Sequence, residues 1–392
     1  MILRERQTKI VVTIGAFFAF LIFGFADNLK GPLIPVLLEE FSLSYAQGSN
    51  ILLMLYLGFM LSIIGSGIIA GKYGNRHVLL LSSIIISIAV AGMSIVQDKI
   101  FLYPLFFSIG MALGGIEVGA NGAITDIYHE NSGKYLNLLA VFHGAGSMIA
   151  PWLVGILLEK NMPWQTAYKG SFLPILLFPL IFIFLRFTSE KSKKNNPDTN
   201  IKPPDKIINM NLILLSLLIL LYVAAEIGIS SWLVDYLYKV KNFSLKTASL
   251  MLTIFWAFMM LGRLIASFIV DRIGYLKSLI ITICLALLSF VGGILPGKYF
   301  AYLLPLTGLF FAMVFPTTTA LAAQIFPEHK ARALSFMFFF AGLGGLIGPW
   351  IVGFVANWFG IIIGFPMHII FIVGTMIILF ILKARLHTQG RN

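Results

Sequence analysis

Three carboxylates stand inside long apolar runs of this chain: Asp27, Glu117 and Glu226. An ionisable side chain at membrane depth is costly and marks a functional site by default. Without water, a carboxylate must either be paired or take up a proton, and a group that does both in turn can carry a proton. At about 1.5 Å per helical residue, Asp27 lies roughly 25 Å along the first apolar run, and Glu226 lies at nearly the same depth along the seventh. Glu117 falls near the middle of the fourth. Each acid also has a plainer explanation. Asp27 and Lys30 are three residues apart on one helix face and can neutralise each other. Glu226 can serve as a helix-packing hydrogen bond. Glu117 has no basic neighbour in sequence and sits among Gly114, Gly115 and Gly119, where backbone can approach a ligand. His143, within the fifth run, titrates near neutrality and joins the proton-coupling candidates. Binding a polyhydroxylated solute requires amides and carboxylates for the hydroxyls and an aromatic face for the ring. Asn28, Asn121, Glu117 and Glu226 supply the first, Trp232 and Trp256 the second, although Trp232 also suits an interfacial belt.

The elements that position these groups follow from composition. Of 392 residues, 59% are hydrophobic and 11% charged, against about 25% charged in soluble domains. A helix needs about 20 apolar residues to cross the hydrocarbon layer. The chain reads as twelve such stretches, near 10–37, 48–70, 78–97, 100–127, 136–158, 168–187, 209–237, 247–269, 277–295, 300–325, 334–357 and 363–383. The expected fold is therefore an all-α membrane protein. The first stretch is too long for a signal-peptide core and lacks a small-residue cleavage site, so it reads as the first span. Cys284 is the sole cysteine, which excludes an intramolecular disulfide.

The net charge of +12 invites a nucleic-acid reading, but its distribution argues against one. The clusters Arg4, Arg6 and Lys9; Lys72 and Arg76; Lys134; Arg186 to Lys206; Arg272 and Lys277; Lys330 and Arg332; and Lys383, Arg385 and Arg391 fall in alternate loops. The positive-inside rule places those loops, and both termini, in the cytoplasm. Short loops point to a prokaryotic inner membrane, and the expected partners are lipid and a small solute, with no nucleic acid.

The chain also repeats itself. Phe142-His143-Gly144-Ala145-Gly146-Ser147-Met148-Ile149-Ala150-Pro151-Trp152-Leu153-Val154-Gly155 returns as Phe340-Ala341-Gly342-Leu343-Gly344-Gly345-Leu346-Ile347-Gly348-Pro349-Trp350-Ile351-Val352-Gly353. The second copy carries Ala341 where the first has His143, so the repeat does not need that histidine for packing. Small residues here let helices approach, and Pro151 and Pro349 offer places to bend. Phe41-Ser42-Leu43 matches Phe243-Ser244-Leu245, and Gly71-Lys72-Tyr73-Gly74 matches Asp271-Arg272-Ile273-Gly274. The expected organisation is a six-helix bundle over 1–187, a polar basic linker over 188–208 and a second bundle over 209–392. Two similar apolar halves are the mark of a secondary transporter, whose substrate sits between its repeats.

Two six-helix halves, a basic central loop and a charged Gly turn after the second and eighth spans resemble the major facilitator superfamily. The first copy of the turn, Gly71 to His77, lacks the acidic residue of that family; the second, Gly262-Arg263 with Asp271-Arg272-Ile273-Gly274, is closer. The resemblance implies that Arg76, Asp126, Glu130, Arg263, Asp271 and Arg272 latch helix ends on the cytoplasmic side. Three stretches resemble the fucose permease branch of sugar–cation symporters: Gly24-Phe25-Ala26-Asp27-Asn28-Leu29 with Leu33-Ile34-Pro35; Gly115-Ile116-Glu117 with Asn121; and Tyr222-Val223-Ala224-Ala225-Glu226 with Trp232 and Tyr236. That branch carries its first acid slightly further along, where this chain has Lys30-Gly31. The resemblance implies a monomer that moves a sugar or polyol by proton-coupled symport. A proton-driven exporter of lipophilic or cationic compounds is the alternative, and sodium coupling stays open. The chain carries no His-Glu-x-x-His pair, P-loop, Cys cluster or Gly-x-Ser-x-Gly elbow, so neither an enzyme, a metal site nor a cofactor is expected, and energy must come from a gradient.

Overall fold

A computed structural model describes residues 2–128, 132–184 and 209–389. Every regular element among them is helical. The expected linker, 188–208, lies outside the described residues. The chain forms two compact units, one of residues 1–42 and 50–201, the other of 43–49 and 202–392.

The first unit contains α1 (Ile2–Asn28), α2 (Lys30–Glu40), α3 (Tyr45–Tyr73, whose first turn groups with the second unit), α4 (Asn75–Ile95), α5 (Leu102–Ile127), α6 (Ser132–Glu159) and α7 (Gln165–Phe184). The second contains α8 (Met210–Lys239), α9 (Leu245–Ile273), α10 (Tyr275–Ile294), α11 (Leu306–Phe311), α12 (Val314–Ile325), α13 (Lys330–Phe359), α14 (Ile361–Gly364) and α15 (His368–Gln389). Eleven spans among the described residues are long and apolar enough to cross a membrane. The sixth expected stretch, 168–187, corresponds to α7, whose described part ends at Phe184.

In two of the stretches expected as single helices, proline accounts for an interruption. Proline has no N–H and cannot bond the carbonyl four residues back. Pro32 deprives the Asn28 carbonyl of its helical partner, and the chain breaks between Asn28 and Lys30, held in course by Leu29 N–H to the Phe25 carbonyl at 3.2 Å and Leu33 N–H to the Leu29 carbonyl at 3.3 Å. Pro316 does the same to Ala312, where α11 gives way to α12. In contrast, α6 and α13 run unbroken through Pro151 and Pro349.

The duplicated turns are explained by their last glycine. Gly74 (φ 86°) and Gly274 (φ 91°) take up left-handed backbone between α3 and α4 and between α9 and α10, a conformation glycine adopts without steric cost. The duplicated glycine stretches of α6 and α13 are packing surfaces. The α1/α6 pair meets backbone to backbone: a Cβ on Gly24 would stand 1.9 Å from the His143 carbonyl oxygen. In the second unit α8 meets α13 in the same way, and a Cβ on Gly348 would stand 2.3 Å from the Ala224 carbonyl oxygen. These are the most extensive helix pairs of their units. Such close approach maximises dispersion contact, which drives helix association where lipid removes the hydrophobic incentive.

Candidate functional site

The break between α1 and α2 brings Asp27, Asn28 and Lys30 together in the first unit. Lys30 is 2% exposed, and its Nζ lies 2.6 Å from Asp27 Oδ1 while also donating to the Asp27 carbonyl at 2.6 Å. Tyr56 of α3 donates its hydroxyl to the same carboxylate oxygen at 3.3 Å, and Lys30 Nζ lies 5.3 Å from the centre of the Tyr56 ring. Asp27 is therefore charge-compensated by a neighbour three residues on. Sequence spacing exposed the Lys30 partnership; Tyr56, from another helix, carried no signal. Asn28 points its amide elsewhere, donating to the Gly24 carbonyl and to Ser147 Oγ, each at 3.0 Å. Ser147 donates its own hydroxyl to the His143 carbonyl at 2.9 Å. The Asn28 amide thus ties α1 to α6, and Ser147 is a residue that sequence reasoning passed over. The His143 ring is half-buried and packs edge-on against Phe23 at 4.7 Å.

Glu117 sits on α5, half-buried, one helical turn before Asn121. The Asn121 amide donates to the Glu117 carbonyl at 2.8 Å and to Glu117 Oε1 at 3.0 Å. The surrounding glycines do not open a path for a ligand as expected. Neighbouring helices fill them: Gly114 faces the Phe59 carbonyl of α3, Gly115 faces Ser82 of α4, and Gly119 faces Leu79 of α4. They set how closely α5 packs, and so where Glu117 stands.

In the second unit Glu226 is 9% exposed and hydrogen-bonded to the Tyr222 hydroxyl, one turn earlier on α8. Arg263 of α9 lies close enough for its charge to act on Tyr222. Arg263, expected only as a latch, thus acts through its charge on the residue bonded to Glu226. Trp256 is buried, edge-on to Phe255 at 5.5 Å. Trp232 is fully buried and donates its indole N–H to the Pro349 carbonyl at 2.9 Å, so the structure gives it to the α8/α13 packing.

The remaining latch residues separate. Asn75, at the start of α4, donates to Asp126 Oδ2 at 2.8 Å and ties the signature turn to the end of α5. Arg76 beside it is half-buried, and Arg272 is exposed. Glu130 and the Asp271 side chain lie outside the described residues. Asp235 is fully buried and paired with Lys239 at 3.1 Å. No cluster of three or more potential metal ligands occurs among the described residues.

The Major Facilitator Superfamily model matches residues 16–306. The chain belongs to that family. Among curated relatives, the protein TsgA homolog of Buchnera aphidicola subsp. Schizaphis graminum is 28% identical over 273 residues, 68% of each chain. Two solved structures share the fold: the nucleoside transporter NupG, 17% identical with a TM-score of 0.73 over 96% of this chain and 98% of that one, and a D-xylose-proton symporter, 14% identical with a TM-score of 0.73 over 95% and 96%. The family and its fold identify a membrane transporter.

Proposed function

We propose that this transporter moves a small polyhydroxylated solute, a sugar or polyol, by proton symport, with Glu117 carrying the proton. The observation that carries this reading is the pairing of the buried acids. Asp27 has Lys30 at 2.6 Å, and Glu226 shares Tyr222 with the charge of Arg263. Glu117, half-buried at membrane depth, has an amide as its described partner. Lys30 fixes a cation against Asp27, whereas the neutral Asn121 amide sets no fixed positive charge on Glu117, which is the state a group that gains and loses a proton needs. The Asn121 amide is engaged within its own helix turn, leaving its carbonyl and the second Glu117 oxygen as acceptors. A solute meeting them must bring donors, as hydroxyls do and an anion does not. The fold shared with a D-xylose-proton symporter and the three stretches resembling the fucose permease branch point the same way. On this reading the protein works as a monomer in an inner membrane, with both termini cytoplasmic.

Cationic solutes also bring donors, so proton-driven export of such compounds is the competing function. The test uses purified protein in proteoliposomes on a solid-supported membrane, with sodium absent. A neutral sugar panel should elicit a positive current that fades as external pH rises. Glu117→Gln should remove at least nine-tenths of that current yet keep solute exchange, which needs no proton release. A silent sugar panel alongside currents from organic cations would replace symport with export. Full coupled current in Glu117→Gln would remove Glu117 from the mechanism.

A further inference from the structure

The space beside the signature turn is filled differently in the two copies. The helices α5 and α12 end on the same bond: the Tyr128 N–H donates to the Ile124 carbonyl and the Phe326 N–H to the Ala322 carbonyl, each at 2.9 Å. Counting back from those ends sets Ala320 in the place of Gly122 and Gln324 in that of Asp126. Likewise Gly74-Asn75, after α3, corresponds to Gly274-Tyr275, after α9. In the first unit the chain fills the space itself. Asn75, 9% exposed, is pressed against Gly122, where a Cβ would stand 2.4 Å from Asn75 Oδ1, and it donates to Asp126 Oδ2 at 2.8 Å.

In the second unit the same place is a cavity of about 560 Å³, lined by Gly274, Tyr275, Ala320, Ala323 and Gln324. Tyr275 packs instead against the apolar residues Ala266, Val270 and Met313. A Cβ on Gly274 would meet nothing within 4 Å. Gln324, exposed, brings an amide where the first unit has a carboxylate. The surroundings call for the charge that is missing. The helix α10 starts at Tyr275 with no side-chain cap and no acid in its first turn, so its leading N–H groups are left to an outside acceptor. From Asp271 to Lys277 the turn carries one acid against two bases, and Arg272 and Lys277 are both exposed. A cavity of this size suits a small organic molecule rather than a bare ion.

We propose that this cavity binds a molecule bearing an esterified phosphate, which supplies from outside the negative charge that Asp126 supplies in the first unit. The phosphate is held at the start of α10 by Arg272, Lys277 and the Gln324 amide, and the esterified group fills the space over Ala320 and Ala323. The turn belongs to a basic loop, hence to the cytoplasmic face by the positive-inside rule, where phosphorylated solutes and acidic lipid headgroups both occur. The site uses none of the buried acids and does not depend on which solute is carried.

The test is equilibrium dialysis of the full chain, in nanodiscs of zwitterionic phosphatidylcholine, against radiolabelled glucose 6-phosphate. The sugar phosphate should bind saturably and be displaced by unlabelled glucose 6-phosphate but not by glucose, which separates this site from the transport site. Arg272→Gln should weaken binding about tenfold, the size of one charge-assisted hydrogen bond. Ala323→Phe should abolish it by filling the cavity. Gln324→Asp should abolish it by restoring the acid of the first unit, and carries the test if Ala323→Phe fails to fold. The two sources of phosphate separate in discs that contain phosphatidylglycerol. Loss of sugar-phosphate binding there, with a rise in melting temperature that Gln324→Asp removes, would make the lipid headgroup the occupant of the same site. The proposal is overturned by binding that all three variants leave unchanged, or by no binding of the sugar phosphate together with no Gln324-dependent effect of the lipid.

Discussion

The Asp27–Lys30 pair is the place where one side chain decides the chemistry of another. Both are buried, and the lysine lies 2.6 Å from the acid it follows by three residues. Removing one partner of a buried ion pair strands the other charge and costs about 3–5 kcal/mol, while neutralising both is far milder. Lys30→Met should therefore lower the melting temperature in detergent sharply, and Asp27→Asn with Lys30→Met should recover most of the loss. Equal losses in the single and double variants would mean that Lys30 contributes through its alkyl packing. The same comparison bears on coupling: a compensated Asp27 predicts that the double variant keeps pH-dependent transport, which Glu117→Gln loses.

Among the elements, the α1/α6 and α8/α13 pairs depend on missing side chains. Gly24→Leu would push atoms into the His143 carbonyl, and Gly348→Leu into the Ala224 carbonyl, where helix backbone and not a movable side chain stands in the way. Each should destabilise by about 3 kcal/mol, read as loss of the monodisperse peak and of melting temperature in detergent, because overpacking a close contact forces whole helices apart. Gly65, in the middle of α3, has nothing within 4 Å of its virtual Cβ. Gly65→Ala should be neutral or gain up to about 1 kcal/mol from helix propensity. If all three behave alike, glycine content rather than close packing is what these helices need.

At the scale of the whole molecule, membrane orientation is a matter of charge distribution. The basic clusters fall on alternate loops, and the intervening ones carry eight of the 28 lysines and arginines, counting Lys30 in its span. Positive loops resist translocation, so both ends should face the cytoplasm. A green fluorescent protein fused after Asn392 should fluoresce, and alkaline phosphatase at the same point should stay inactive. The opposite pair of results would invert the topology.

The apolar runs, the two copies of the glycine-rich stretch and the signature turns were legible from residue types alone, because crossing a membrane demands about 20 apolar residues in a row and close helix packing demands small ones. The acids were legible for the same reason: in an apolar run a carboxylate stands out. Their partners were legible only in part. Lys30 was visible because an i,i+3 spacing shares a helix face, and Asn121 joined the candidates as a nearby amide. Tyr56 reaches Asp27 from a separate helix, and no spacing in one chain reports which helices meet. The glycines beside Glu117 looked open in sequence and are filled by Phe59, Ser82 and Leu79. Trp232 read as a ligand platform until its N–H was found on the Pro349 carbonyl. Composition and periodicity determine that these helices span a membrane and that acids lie within them. Which residues of other helices reach those acids and fill the space beside them depends on side chains brought together over distances of a few ångströms, and the tertiary structure alone decided that.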